Sequence, residues 1–322
     1  MSPYNLVLLQ VLCLWLMRLG GFSETRVLKP LFFMIVMFIY TLILCANLLL
    51  IVVICKSRSL HEPMYIFPCS LFVNELFGSM GFFPLLLVQI LSDSHTVSVP
   101  LCFLQIFCVY SYVTVELFIL AVISYDRYLA ICYPLQYNSL MTFKKVAVLI
   151  AVSWLTSFFN VVCTVSLNST LQLCGNIIDN VYCNSYSIVK LACSDTTINT
   201  IYGIVLLMIT VIAPLILILY TYMRILKVCF SGSKETRQKA VSTCTPHLAS
   251  LLNFAFGICI EFIQSRLNMS GVPSLLSVFL SVYLMTCQPI LNPVMYGLKM
   301  SKIFNICLSL FCSKALIIQL NR

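Results

Sequence analysis

Glu75 and Glu116 are the residues of this 322-residue chain with the strongest claim to chemistry. Each stands in a run of apolar residues, where a carboxylate is costly and marks a functional position. No lysine is available nearby to neutralise either. A catalytic acid and base would need a nucleophile or metal-ligand set beside them. The three histidines, His61, His95 and His247, lie in or near loops on both sides and form no such cluster. No catalytic residues, and so no enzyme, are therefore expected. A third charged feature, Asp126-Arg127-Tyr128, closes another apolar run. Deep in lipid Arg127 would cost about 2.5–3.5 kcal/mol, but at a helix end it can pair with Asp126 and reach the interface. Taken alone, that pair is either a topological anchor or a switch. Asn292-Pro293 sets a polar residue beside a helix breaker, so Pro293 frees a backbone carbonyl and Asn292 can satisfy freed groups.

The elements that must position these residues follow from composition. Apolar residues are 61% of the chain and charged ones 9%, with a mean hydropathy of +1.02. A soluble domain averages nearer ~45–50% apolar and ~25% charged. Only a bilayer has use for so much apolar surface. Continuous runs argue for helices and against a β-barrel, whose strands alternate. Seven spans are expected at 31–54, 64–90, 100–132, 144–167, 198–226, 238–263 and 274–296, leaving no room for a separate catalytic domain. With the N-terminus outside, fourteen of the nineteen lysines and arginines fall on the inner side, which fixes the orientation. The net charge of +9 then reflects topology and calls for no nucleic-acid partner.

The organisation expected is an extracellular segment over 1–29, a bundle over 30–298, and a short amphipathic helix with a cytoplasmic tail over 299–322. Leu6 to Met17 is apolar but too short to span and lacks a charged leader, so it reads as a signal-peptide core, a tail or an alternative start, the tail or alternative start preferred. Gly297 is placed to terminate the seventh helix, and Ile303, Phe304, Ile306, Cys307 and Leu310 then recur at helical spacing, as on a membrane surface. Most of the seventeen cysteines lie in the spans as small hydrophobes. Four, Cys102, Cys174, Cys183 and Cys193, are on the outer side, where they allow three pairings. Asn168-Ser169-Thr170 and Asn268-Met269-Ser270 are glycosylation sequons on that side. Cys307 and Cys312, on the inner side, are either palmitoylated or free.

Five strings occur in the right loops and order. They are Leu60-His61-Glu62-Pro63-Met64-Tyr65, Tyr125 to Leu135, Leu191 to Thr196, Lys239 to Cys244 with His247-Leu248, and Pro289 to Tyr296. Together they resemble the odorant receptors among the rhodopsin-like G-protein-coupled receptors, with a fish-type member expected. The resemblance implies an all-α membrane protein, a seven-transmembrane bundle with an amphipathic eighth helix.

Asp126, Arg127, Tyr128, Tyr222, Asn292, Pro293 and Tyr296 would then form a G-protein switch, Arg127 being freed on activation and Tyr222 and Tyr296 supporting the opened state. Glu75 and Glu116 would meet in the bundle interior with Asn47 and Asn292. Rhodopsin-like receptors commonly have an aspartate holding sodium at the Glu75 position. The pair here would bind a sodium ion or share a proton, with no other cofactor. The disulfides implied are Cys102–Cys183 and Cys174–Cys193.

A ligand cavity would draw on Tyr110, Val113, Thr114, Tyr202, Leu206, Phe254, Ile258 and Tyr283, although each alone reads more readily as helix packing. Glu261 and Arg266 near the outer end of the sixth span are solvated rim charges or contacts for a charged ligand. The partners implied are a small odorant, a stimulatory heterotrimeric G protein and membrane lipid, at the plasma membrane. A metabolite receptor using the same machinery is the alternative. A channel or transporter is remote, because no paired broken helices divide the chain into two halves.

Overall fold

The computed structural model describes residues 16–20, 29–231, 234–266 and 274–311. Seven helices are long and apolar enough to cross a membrane: α1 Lys29–Lys56, α2 Pro63–Leu91, α3 Val99–Cys132, α4 Phe143–Ser169, α5 Thr197–Ser231, α6 Lys234–Arg266 and α7 Ser274–Lys299. Helices are what lipid permits, since each closes its own backbone hydrogen bonds. Pro63 opens α2, where its missing N–H costs nothing. Thr142 caps α4 by accepting from the Lys145 N–H, and Asp195 starts α5 by accepting from the N–H and hydroxyl of Thr197 at 2.9 and 2.6 Å. Those donors hold the Asp195 carboxyl below its ordinary range. The helices α5 and α6 run past the expected spans, so the connection left between those spans, residues 227–237, shrinks to residues 232–233, which are not described.

The central helix is α3, most of whose apolar stretch is buried, whereas most of that of α5 is exposed. Phe38, Leu155 and Leu219 point outward into what must be lipid. Close approach of α2 to α3 is made possible by glycine: a Cβ on Gly81 would stand 2.3 Å from the Cβ of Cys108, and one on Gly78 would stand 2.5 Å from the Tyr112 ring. Trp154 of α4 reaches α2 by donating to Ser70 Oγ at 3.1 Å.

Two ends close the bundle. At the disulfide end, Leu16–Leu19 forms strand β1, antiparallel to β2 (Thr96–Ser98) and parallel to β3 (Ile177–Ile178). Met17 and Leu19 are buried there with Val97, Ile106, Ile178 and Ile188. Part of the segment expected as a tail is thus folded onto the bundle. At the other end, α8 (Ser301–Phe311) buries Ile303, and its Lys302 donates to Glu62 at 3.2 Å. Gly297 does not terminate α7, which continues to Lys299. It lies within the helix facing Leu50 of α1, with space for an ordinary Cβ contact.

Candidate functional site: a polar axis through the bundle

At the disulfide end, Cys102 is bonded to Cys183 and Cys174 to Cys193. The first bond ties α3 to the loop before α5, and the Cys183 N–H donates to Gln105 Oε1 at 2.9 Å. This draws Val181, Tyr182 and Cys183 into the bundle mouth, where all three are buried. Tyr110 of α3 accepts from the Ser185 N–H at 3.2 Å. Replacing Cys102 or Cys183 with Ser opens an 81-residue cross-link. On a loop-entropy account that costs about 4–5 kcal/mol, enough to collapse surface display severalfold in a flow-cytometry count. Normal display of either single variant would refute a structural role for this bond.

Other residues expected at a ligand cavity divide. Tyr283 of α7 donates to Asn253 Oδ1 at 2.8 Å, and Phe254 and Ile258 pack on the inner apolar cluster. Val113 bridges that cluster and the outer one, and Thr114 bonds back to its own helix at Tyr110 O. Tyr202 instead donates to Asn160 O, joining α5 to α4, and its neighbour Leu206 is half-buried. The Asn168 sequon is not free to carry a glycan in this fold: Asn168 is 3% exposed, donates to Ser185 Oγ and accepts from Asn199 Nδ2. Asn268 lies outside the described residues, as does Cys312, while Cys307 is half-buried against the bundle.

Below Tyr283 a continuous hydrogen-bond chain descends. Asn253 Nδ2 donates to Gln288 Oε1 at 2.5 Å, and Gln288 Nε2 donates to Glu116 Oε1 at 3.1 Å and to Ser250 Oγ at 3.1 Å. Asn292 Nδ2 donates to Glu116 Oε1 at 2.8 Å and to Glu75 Oε1. Ser250 donates to Asn292 Oδ1 at 2.6 Å, and Asn74 Nδ2 donates to Glu116 Oε2 at 3.0 Å. The two acids are thereby brought into one fully buried cluster with Asn292. Asn47 stands apart from them, donating to Pro289 O and Ile43 O at 2.9 Å. Glu116 accepts three amide donors, whereas Glu75 Oε2 is buried without a hydrogen-bond partner, as is the hydroxyl of Tyr112. Asn74 Oδ1 and Ser79 Oγ, one turn from Glu75, are also unpartnered. Oxygen donors of this kind suit a hard cation, so the residues fit sodium. Among the described residues, no three His, Cys, Asp or Glu side chains gather for a metal.

Near the far end, His247 is not a loop residue. It is buried in α6, its Nε2 donating to Leu120 O of α3 at 2.9 Å and its Nδ1 accepting from the Tyr222 hydroxyl of α5 at 2.5 Å. A carbonyl only accepts, so the proton lies on Nε2. Sequence reading missed this latch, together with Asn74, Ser250, Asn253 and Gln288. One signal was present: Gln288 and Asn292 are four apart on one helix face. Tyr296 is buried against Phe72, its hydroxyl unpartnered. Arg127 Nη2 donates to Asp126 Oδ2 at 2.7 Å, and the Tyr137 hydroxyl donates to Asp126 Oδ1 at 2.6 Å. Burial, then the Asp126 carboxylate, raises the Tyr137 phenol above its ordinary value, so it remains a donor. Tyr128 faces away, toward Tyr133. A cavity of about 440 Å³ lined by Cys132, Tyr133, Arg224, Lys227, Val228 and Ser231 opens beside this end.

Seven spans, a disulfide-tied loop over one mouth and a buried Asp–Arg pair at the other define a seven-transmembrane receptor. The fold is that of squid rhodopsin, at a TM-score of 0.68 and 17% identity over 92% of this chain and 91% of that one. A family profile described as olfactory receptor matches residues 36–314. Human olfactory receptor 11A1 is 35% identical over 297 residues, covering 91% of this chain and 93% of its own length. Human olfactory receptor 4E2 is 35% identical over 281 residues, 87% and 88% of the two chains. The chain belongs to the olfactory receptor family. These relatives are human and lend no support to the fish-type expectation.

Proposed function

We propose that this multi-pass protein lies in the plasma membrane with its N-terminus outside, binds a small odorant beneath the disulfide-tied loop, and activates a stimulatory heterotrimeric G protein at the Arg127 end. The observation that carries this reading is the polar chain from Tyr283 through Asn253, Gln288 and Asn292, which runs from the ligand half to the switch half. An odorant that moves Tyr283 or Phe254 disturbs hydrogen bonds shared by α3, α6 and α7. The latch at His247 and the clamp on Asp126 lie on the same helices, and opening them uncovers Arg127. In the closed state Glu75 and Glu116 are held together either by a shared proton or by a sodium ion. Lipid contacts the outward apolar faces.

Cells displaying the receptor with a stimulatory G protein are expected to raise cyclic nucleotide when offered an active member of a panel of volatile and water-soluble odorants. Responses carried only by another G-protein class would overturn the stimulatory assignment. Silence to the whole panel at verified display, with responses to metabolites instead, would overturn the odorant assignment.

A further inference from the structure

Glu261 lies on α6 near the disulfide end, half-buried rather than on a solvated rim. Its Oε1 accepts from the hydroxyl of Tyr182, and the Tyr182 ring stands edge-on to Phe82 of α2 with centroids 5.5 Å apart. Tyr182 is itself 4% exposed and adjoins Cys183, which is fixed to α3. Two adjacent loop residues, Tyr182 and Cys183, therefore join α2, α3 and α6. Burial, and then the facing carboxylate, push the Tyr182 phenol well above its ordinary value, which keeps it a donor.

Among the described residues no cationic side chain pairs with Glu261, and the side chain of Arg266 on the same helix lies outside them. The four ion pairs among the described residues are Lys29–Asp93, Arg127–Asp126, Lys190–Asp179 and Lys302–Glu62, and none includes Glu261. The Tyr182 ring that meets Glu261 lies among apolar side chains: Phe82, Phe83, Leu86, Val181, Val278 and Val282 form one cluster with it. A carboxylate in such a setting, served by one phenol, is under-compensated. A bound ammonium removes that deficit, since it carries three donors and full charge.

We propose that Glu261 is the recognition group for protonated amines, with the apolar body of the ligand lying along the cluster around Phe82 and Val282. The inference rests on the reading that a small ligand enters beneath the loop. It names the ligand class and a consequence. An ammonium on Glu261 competes with the Tyr182 hydroxyl, loosening a bond that ties the loop to α6. Ligand capture is thereby coupled to the helix that carries the His247 latch.

The test uses the full-length receptor, n-hexylamine, which is protonated at neutral pH, and hexan-1-ol as the uncharged match. Thermal unfolding of purified receptor, read with and without each compound, is expected to show stabilisation of the unmodified chain by the amine. In Glu261→Gln the half-saturating amine concentration should rise by about tenfold or more relative to any change for the alcohol, as for loss of one partner of a desolvated charge pair. Glu261→Asp should recover part of the difference. The unliganded melting point of each variant reports whether it has folded. Equal shifts for amine and alcohol, or no amine effect on the unmodified chain, would overturn the proposal. If amines fail while neutral odorants bind and signal, only this inference falls. If hexylamine binds but no compound signals, the amine site stands and the receptor reading falls.

Discussion

Arg127→Ala is expected to abolish odorant-driven cyclic-nucleotide output while the receptor still reaches the cell surface. The guanidinium is 4% exposed and its Nη2 donates to Asp126 at 2.7 Å, so in this structure it is withheld from an incoming partner. On the proposed switch, activation breaks that pair, and the freed cation then meets the G-protein segment that enters at this end. Removing the cation removes the contact. Breaking a buried pair from one side costs about 3–5 kcal/mol when the remaining charge is left bare. Here the Tyr137 hydroxyl still serves Asp126 Oδ1, which moderates the cost and lets the variant be displayed. Output is to be normalised to surface protein. Asp126→Asn gives the opposite sign: it weakens the clamp without removing the cation, and basal output should rise. A well-displayed Arg127→Ala receptor that signals fully would reduce the pair to a topological anchor.

The spans were legible because a bilayer demands continuous apolar runs, and nothing else in the chain looks like them. Their ends were less so. The last turns of α5 carry Arg224, Lys227 and Ser231 and the first of α6 carry Lys234, Glu235 and Arg237, so charge interrupts the apolar run there although the helices continue. Strand β1 has four residues and its partners three and two, too few for an alternating pattern to be read. The acid pair was visible as charge in apolar runs, yet the amides that organise it were not. Asn74, Asn253 and Gln288 are unremarkable as single polar residues and become a network only when four helices converge. His247 was hidden for a related reason: it sits in a polar string at the start of a long helix, and only the fold turns it toward Leu120 and Tyr222. Glu261 differs again, because the residue that buries it arrives from a loop almost eighty positions away.

Neutralising Glu75 and Glu116 should show that they form one site. Asn292 Nδ2 donates to both carboxylates, so neither can change without altering the shared donor. Two acids this close do not both stay ionised without a counter-ion, and they titrate as a pair. Glu75→Gln keeps an acceptor facing Asn292 and turns its new NH2 toward the Oε2 position, where no hydrogen bond is lost. Glu116→Gln must place an NH2 among donors from Asn74, Gln288 and Asn292, so it loses at least one bond and should have the larger effect. Each single change is expected to shift ligand potency or basal output. The second change, made on the first, should add less than it does alone, the shortfall lying between about 0.5 and 3 kcal/mol, or roughly twofold to a hundredfold. The cycle is read as cyclic-nucleotide output over surface protein in four receptors: unmodified, each single variant and the double. Strict additivity would place the two acids in separate sites despite their common partner. Loss of display with unchanged potency in the displayed fraction would make the pair structural only. Melting of the purified receptor in sodium and in choline separates the two ways of holding the pair together: a bound cation makes the unmodified receptor more stable in sodium and the double variant indifferent, whereas a shared proton leaves both indifferent to the cation and the unmodified receptor sensitive to pH.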